Sequence, residues 1–217
     1  MSAETKKVFD FLCSTYNGIS RFRRVFKSFK DCSYDNTNSR YLVESSVKAI
    51  NFDKVTRKFY RSEGRFPRSA DALTFSENCI YFIEFKAGDQ VAGRYNTQHL
   101  IEGVIDKING SERTMYEKVF SNVPNLNANL VKLRFYLVVD AEAMGIDALV
   151  RTQAELSLGT TTEQDDSLRI LLTQVLPDLK AGTQNPELYD DVNIWYSDVF
   201  DEYLDRYNIK DIEAFVL

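Results

Sequence analysis

The stretch RSADALTFSENCIYFIEFK, residues 68–86, constrains the fold of this chain most, because it predicts two strands joined by a tight turn. Aromatic and β-branched residues, which suit a pleated sheet, dominate the second run, after a Ser-Glu-Asn-Cys turn. Placing Glu77 and Asn78 in the loop, where asparagine tolerates a positive φ, sets Asp71 opposite Glu84. The same register pairs Phe75 with Ile80 and Leu73 with Phe82.

The open end of this hairpin gathers three charged side chains. Residues two apart share a face of a strand, so Lys86 lies beside Glu84, and Asp71 faces both. Two neighbouring carboxylates repel each other unless a positive charge lies between them, and a divalent cation supplies one. The cluster therefore predicts a metal site, or alternatively a structural ion pair between Lys86 and one carboxylate.

Asp71 on one strand and Glu84-Phe85-Lys86 on the next resemble the core motif of the PD-(D/E)XK nuclease superfamily. The resemblance implies a restriction-endonuclease-like core and metal-dependent hydrolysis of phosphodiester bonds in nucleic acid. It implies that Asp71 and Glu84 bind Mg²⁺, for which Mn²⁺ can substitute, together with the Phe85 carbonyl. Lys86 is then expected to orient or activate water and to stabilise charge on the reacting phosphate.

The resemblance also suggests two further site residues. A helix ahead of the hairpin often donates a glutamate to the metal in this superfamily, and Glu44 is the matching residue in a predicted helix over residues 40–50. The alternative is an ordinary glutamate at the border of an amphipathic helix. Gln98 lies in the first turn of a helix predicted from about Thr97 to Ile108, where nucleases of this kind often place a glutamine that positions water or substrate.

The charge of the chain is unevenly distributed. Its net value is −5, but residues 1–70 carry +8 and residues 138–217 carry −12. This division predicts that residues 1–70 face a polyanion. The alternative is that the two oppositely charged regions neutralise each other on one surface. A predicted helix over residues 19–31 is amphipathic and basic, so it can bind phosphates, lie on an anionic membrane, or be a core helix with a solvated face. The basic residues expected to contact nucleic acid are Arg21, Arg24 and Lys27 on that helix, and Arg57, Lys58, Arg61, Arg65 and Arg68 around a strand predicted over residues 55–63.

The pattern of elements predicts one α/β domain over residues 1–217. A helix over residues 3–15 comes first, and the apolar run over residues 131–139 is typical of a central strand. A helix between it and the Lys86 strand predicts a parallel crossover, and hence a mixed central sheet flanked by helices. We expect basic helices over residues 1–37, the nuclease-like core over residues 38–140, and an acidic helical segment over residues 141–217.

The composition of the chain limits the cellular compartment and the binding partners that we expect. No apolar run is long enough to span a membrane, and the N-terminus lacks the apolar core of a signal peptide. Three cysteines without CxxC spacing indicate a reducing compartment, so we expect a cytoplasmic protein. The expected partner is nucleic acid, with DNA ahead of RNA, and the acidic segment offers a surface for a basic protein or a second copy. The rival interpretations are a non-catalytic nuclease-like module that binds nucleic acid or protein, and an interaction protein in which the motif is coincidental.

Overall fold

The computed structural model describes residues 1–86, 97–140, 176–181 and 189–216, in which a six-stranded mixed sheet is packed between helices. The strands are β1 (Phe26–Ser28), β2 (Tyr34–Asp35), β3 (Arg40–Tyr41), β4 (Lys48–Asn51), β5 (Ala72–Phe75), β6 (Cys79–Lys86), β7 (Lys132–Val139) and β8 (Tyr189–Tyr196). The α-helices are α1 (Ala3–Thr15), α2 (Ile19–Phe22), α3 (Phe29–Cys32), α4 (Phe52–Phe59), α5 (Thr97–Arg113), α6 (Leu176–Ala181) and α7 (Phe200–Arg206). None of the helices in these ranges is long and apolar enough to cross a membrane.

The main sheet has the strand order β1-β4-β5-β6-β7-β8. Neighbouring strands from β1 to β6 are antiparallel, whereas β6, β7 and β8 are parallel. Helix α5 lies in the connection between β6 and β7, so the predicted crossover is confirmed. The prediction of a mixed sheet flanked by helices is likewise confirmed. Strands β2 and β3 form a separate small hairpin, which the sequence analysis did not predict.

The register of the central hairpin is the predicted one. Strands β5 and β6 pair antiparallel, and every observed pair of facing residues agrees with the predicted register. The observed pairs are Ala72 with Ile83, Leu73 with Phe82, Thr74 with Tyr81, and Phe75 with Ile80. Continued by one residue, this register brings Asp71 to the end of β6 that carries Glu84.

The loop of this hairpin differs from the prediction in one respect. The Ser76 amide donates to the Cys79 carbonyl at 3.0 Å, which leaves Glu77 and Asn78 in the loop as predicted. Asn78, however, is not among the residues with positive φ, so that expectation is wrong. A tertiary contact also holds this loop, since the Thr5 hydroxyl of α1 donates to the Glu77 carbonyl at 2.7 Å.

Aromatic side chains hold helices against both faces of the sheet. On the face that carries Glu84, Phe9 of α1 packs edge-on against Phe75 with ring centroids 5.7 Å apart. On the opposite face, Phe200 of α7 contacts Phe85 at 5.8 Å. Because successive strand residues alternate between faces, the buried end of β6 directs Glu84 and Phe85 into different layers.

The prediction of a basic helix over residues 19–31 is wrong. Helix α2 passes into a 3₁₀ turn (Arg23–Val25), then into strand β1 and helix α3. Strand β1 covers the free edge of β4 by pairing with it, and the Ser28 hydroxyl starts α3 by accepting from the Asp31 amide at 3.0 Å. Pairing with β4 and the cap at Ser28 together prevent a continuous helix in a segment whose apolar spacing is helical. The alternatives that required a continuous basic amphipathic helix therefore lose their structural basis.

Two further element assignments between residues 40 and 63 are wrong. The helix predicted over residues 40–50 is replaced by β3, an extended connection and β4, because β4 completes the sheet beside β5. The strand predicted over residues 55–63 is helix α4 followed by a 3₁₀ turn (Arg61–Glu63). Asn51 caps α4 by accepting from the Lys54 amide at 3.0 Å, and the buried Phe52 and Val55 anchor its inner side.

The acidic C-terminal segment is only partly helical. Residues 189–196 form β8, which pairs in parallel with β7, and α7 follows after a short 3₁₀ turn (Ser197–Val199). The burial of Val192, Ile194 and Trp195 explains the strand, since both of its faces are covered. The expectation of a helical segment is thus wrong over residues 189–196. Residues 141–175 of the predicted segment lie outside the described residues, and the proposed domain divisions stay a prediction.

Candidate functional site

Asp71, Glu84 and Lys86 converge as the hairpin register predicts. The Lys86 ammonium lies 2.6 Å from Glu84 Oε1. Asp71 Oδ2 accepts the backbone N–H of Phe85 at 3.0 Å, which fixes the Asp71 carboxylate against the end of β6. The three charged groups therefore form one cluster at the open end of the hairpin.

A fourth charged residue, Lys107 of α5, completes the cluster and was missed by the sequence analysis. Its ammonium lies 2.6 Å from both Glu84 oxygens and 3.1 Å from Asp71 Oδ1, so it bridges the two carboxylates. Lys107 follows Val104 by three positions, which places it beside the buried stripe of the helix. A lysine next to an apolar stripe, on the crossover helix between the two parallel strands, was the available signal.

The cluster forms the floor of a pocket of about 250 Å³. Glu84 is fully buried, whereas the side chains of Asp71, Lys86 and Lys107 retain 28%, 22% and 20% of their exposure. Solvent therefore reaches three of the four side chains, and the cluster is not closed off from the surface. The remaining lining residues are Cys32, Ser33, Tyr34, Asp35, Asn36, Thr37, Leu42 and Phe85.

The two carboxylates have different electrostatic environments. Burial, and then the negative charge of Glu84, raise the pKa of Asp71 to about 7. Burial also disfavours the Glu84 anion, but the charges and hydrogen bonds of Lys107 and Lys86 outweigh it and lower the Glu84 pKa. Lys107 has a raised pKa despite its burial, because Glu84 and Asp71 both favour the ammonium form. Near neutral pH, Glu84 is thus the firmly ionised carboxylate, and Asp71 titrates.

The raised pKa of Asp71 makes stability depend on pH. An aspartate that ionises near 3.9 in the unfolded chain but at about 7 in the folded protein destabilises the fold progressively as pH rises between those values. Asp71→Asn removes this titration. We therefore expect the unfolding free energy of the variant, relative to wild type, to rise by about 2–3 kcal/mol between pH 5 and pH 8.

Chemical denaturation in chelator at both pH values measures that difference. Asp10→Asn serves as the control, since Asp10 forms an exposed ion pair with Lys6 on α1. A difference between Asp71→Asn and wild type that is the same at pH 5 and pH 8 would show that Asp71 has an ordinary pKa in solution.

The donor atoms of the pocket suit a hard divalent cation. Mg²⁺ is held by one or two carboxylates, with water and substrate phosphate oxygens completing its shell, and Asp71 and Glu84 supply such a pair. The soft donor at the pocket, Cys32, is kept as a thiol, because burial and the Asp71 charge raise its pKa to about 12. Within the described ranges, no cluster of three His, Cys, Asp or Glu side chains could hold a metal ion.

A positive group already occupies the space between the two carboxylates. The Lys107 ammonium contacts Glu84 Oε1 and Asp71 Oδ1 at once, which shows that a cation placed there satisfies both. Two carboxylates are a donor set of the kind that Mg²⁺ or Mn²⁺ uses, but the ion and Lys107 would compete for the same oxygens, so metal binding stays a prediction. The Phe85 atom that the structure places in contact with the cluster is the amide, so the role of its carbonyl stays a prediction.

Glu44 does not join this cluster. It lies in the connection between β3 and β4 rather than on a helix, its side chain is 75% exposed, and it pairs with Lys30 at 2.6 Å. It lines a different pocket, of about 460 Å³, together with Arg40 and Asp140. The loss of the predicted helix explains this position. Gln98 does lie in the first turn of α5, as predicted, but its side chain is outside the described residues.

The eight basic residues predicted to bind nucleic acid lie on several elements. None of them is among the described residues that line the pocket. Arg57 is paired with Asp53 at 2.8 Å, Lys58 lies over the Tyr16 ring, and Arg68 approaches Asp106 at 3.9 Å. Seven are exposed and one is half-buried: Arg21, Arg24, Arg57, Lys58, Arg61, Arg65 and Arg68 are exposed, and Lys27 is half-buried. Their contact with a phosphate backbone stays a prediction.

No protein-family model matches this chain, and no curated protein matches it. The resemblance to the nuclease superfamily therefore rests on Asp71 and the Glu84-Phe85-Lys86 run.

Proposed function

We propose that this protein is a metal-dependent nuclease that hydrolyses phosphodiester bonds at the pocket floored by Asp71, Glu84, Lys86 and Lys107. The observation that carries the proposal is the convergence of two carboxylates and Lys86 in a pocket open to solvent. Buried structural ion pairs ordinarily exclude water, and they do not need two acids that repel each other. A pocket with strongly perturbed titratable groups is instead typical of a reactive site.

The roles of the residues follow from their positions. Glu84 presents an ionised carboxylate in the pocket, and Asp71 presents a second carboxyl group, which titrates near neutral pH and accepts the Phe85 amide N–H. A divalent cation bound there lowers the pKa of a water molecule and polarises a phosphoryl oxygen. Lys86, at the partly exposed rim of the cluster, can donate to the attacking water or to a phosphate oxygen and stabilise the negative charge that develops.

A second candidate, a non-catalytic module that binds nucleic acid or protein, is favoured by the charge balance of the same cluster. Two carboxylates face two lysines, and Lys107 contacts both acids. Such a network is neutral and needs no metal. The two candidates differ in whether Mg²⁺ or Mn²⁺ binds and whether a nucleic-acid chain is cut.

The test compares wild type with Lys86→Ala on plasmid, single-stranded DNA and RNA, each with Mg²⁺ or Mn²⁺. We expect wild type to cut at least one of these substrates and the variant to be about 10²-fold slower, because one positive group at the reacting phosphate is lost. Lys48→Ala is the matched control, since Lys48 is a half-exposed lysine paired with Glu213 away from the pocket. Equal cleavage by wild type and Lys86→Ala contradicts the proposed site, and no cleavage under any condition favours the binding module.

A further inference from the structure

The β2–β3 hairpin places two exposed aromatic rings beside the proposed nuclease site. Tyr34 and Tyr41 face each other across its ladder, with ring centroids 4.9 Å apart. They are 42% and 41% exposed, and they account for two of the four exposed large apolar residues in the part of the chain that the structure describes. Large aromatic rings are normally covered, so an exposed pair of which one ring lines a pocket is a candidate binding surface.

Tyr34 connects this surface to the charged cluster. It lines the same 250 Å³ pocket as Asp71, Glu84, Lys86 and Lys107. A group that lies against Tyr34 can therefore be joined to a phosphate at the pocket floor. The second ring, Tyr41, lies 4.8 Å from the Lys30 ammonium and lines the neighbouring pocket of about 460 Å³. Tyr34 is therefore the ring of the pair that borders the charged cluster.

The hairpin holds Tyr34 in place before any ligand arrives. Asp35 accepts from the Thr37 amide at 2.9 Å and from the Asn38 side chain at 2.7 Å, which closes the turn. At the other end, the buried Ser33 hydroxyl accepts from the Val43 amide at 3.2 Å. A ring on a fixed support loses little conformational freedom when a second ring stacks on it.

We propose that Tyr34, backed by Tyr41, is a stacking site for an unpaired nucleobase next to the phosphate that enters the pocket. The inference rests on the proposed function and adds a substrate class, namely single-stranded nucleic acid or the unpaired end of a duplex. Aromatic rings bind bases of any sequence through their faces, and bases inside a duplex do not offer that face. The site would therefore bind any unpaired base without preference for its identity.

The experiment measures binding in chelator, so that no strand is cut, by fluorescence anisotropy of labelled oligonucleotides. The probes are a single strand, a strand of equal length that lacks bases, and a blunt duplex. We expect Tyr34→Ala to bind the single strand about tenfold more weakly than wild type and the base-free strand equally well. Tyr34→Phe, which keeps the ring, should retain wild-type binding to both.

The outcomes separate this inference from the function on which it rests. An equal loss on the base-free strand would mean that Tyr34 acts through phosphate contacts or hairpin packing, and it overturns the stacking site. Duplex binding that is tighter than single-strand binding and insensitive to Tyr34→Ala overturns the substrate class, while cleavage that depends on Lys86 would still support a nuclease. Failure of wild type to bind any probe overturns the stacking site, and cleavage assays then decide the nuclease proposal separately.

Discussion

Replacing Glu84 with glutamine should slow cleavage by a factor of about 10³ or more, the largest effect that we expect from a single substitution. Glutamine keeps the shape of the side chain but removes the firmly ionised carboxylate from the floor of the pocket. The variant loses one of the two carboxylates available to a divalent cation, and it loses the anion that pairs with Lys86 and Lys107. Cleavage rates at saturating Mn²⁺, with calorimetric titration of the metal, measure both losses.

The fold should survive this substitution, because glutamine keeps the shape of the buried side chain and Lys107 keeps its contact with Asp71. Without the neighbouring Glu84 charge, the pKa of Asp71 should fall, which favours its ionised form. Circular dichroism and a thermal melt verify folding. Glu213→Gln is the matched control, since Glu213 is a half-exposed glutamate paired with Lys48. A folded Glu84→Gln protein that cleaves at the wild-type rate would refute the proposed site.

Replacing Lys107 with methionine should have two effects of opposite sign. In chelator, the variant should unfold more easily, by about 2–3 kcal/mol, because the fully buried Glu84 loses one of its two cations. In the presence of metal, Mn²⁺ should bind about tenfold more tightly than in wild type, since no ammonium competes for the same carboxylate oxygens. General damage to the fold would weaken metal binding, so the combination is diagnostic for competition.

Calorimetric Mn²⁺ titration and denaturant unfolding in chelator test this prediction. Lys118→Met is the matched control, because the Lys118 side chain is 26% exposed and pairs with Glu63 at 2.6 Å, outside the pocket. Wild-type metal affinity in Lys107→Met would show that Lys107 does not compete for the carboxylates. If no metal binds to wild type or variant while the variant is destabilised, the neutral four-residue network is structural, as the second candidate function requires.

The hairpin of β5 and β6 was the most predictable part of the molecule. A two-residue loop and the alternation of side chains fix the register locally, so the meeting of Asp71, Glu84 and Lys86 follows from adjacent residues alone. The long apolar run of β7 and the helical periodicity of α5 were also sufficient to predict these two elements, since a central strand and a crossover helix each carry a strong internal pattern.

The regions outside that hairpin were decided by pairing between distant segments. The phenylalanine spacing over residues 19–31 fits a helix, but residues 26–28 form a strand because they pair with the edge of β4. In the same way, pairing with β7 makes residues 189–196 a strand within the segment that was predicted to be helical. Backbone groups at a sheet edge gain hydrogen bonds from any compatible neighbour, and this gain exceeds the small differences in local propensity.

The sequence by itself determined the hairpin register, and with it the meeting of two carboxylates and Lys86, because those contacts depend on one tight turn. Only the tertiary structure brought Lys107 between the acids and placed Tyr34 in the lining of the pocket. Lys107 is separated from Glu84 by 23 positions along the chain, and Tyr34 reaches the pocket from a hairpin before β4. Such contacts depend on how the crossover helix and the small hairpin pack on the sheet, and residue spacing within one segment does not encode that packing.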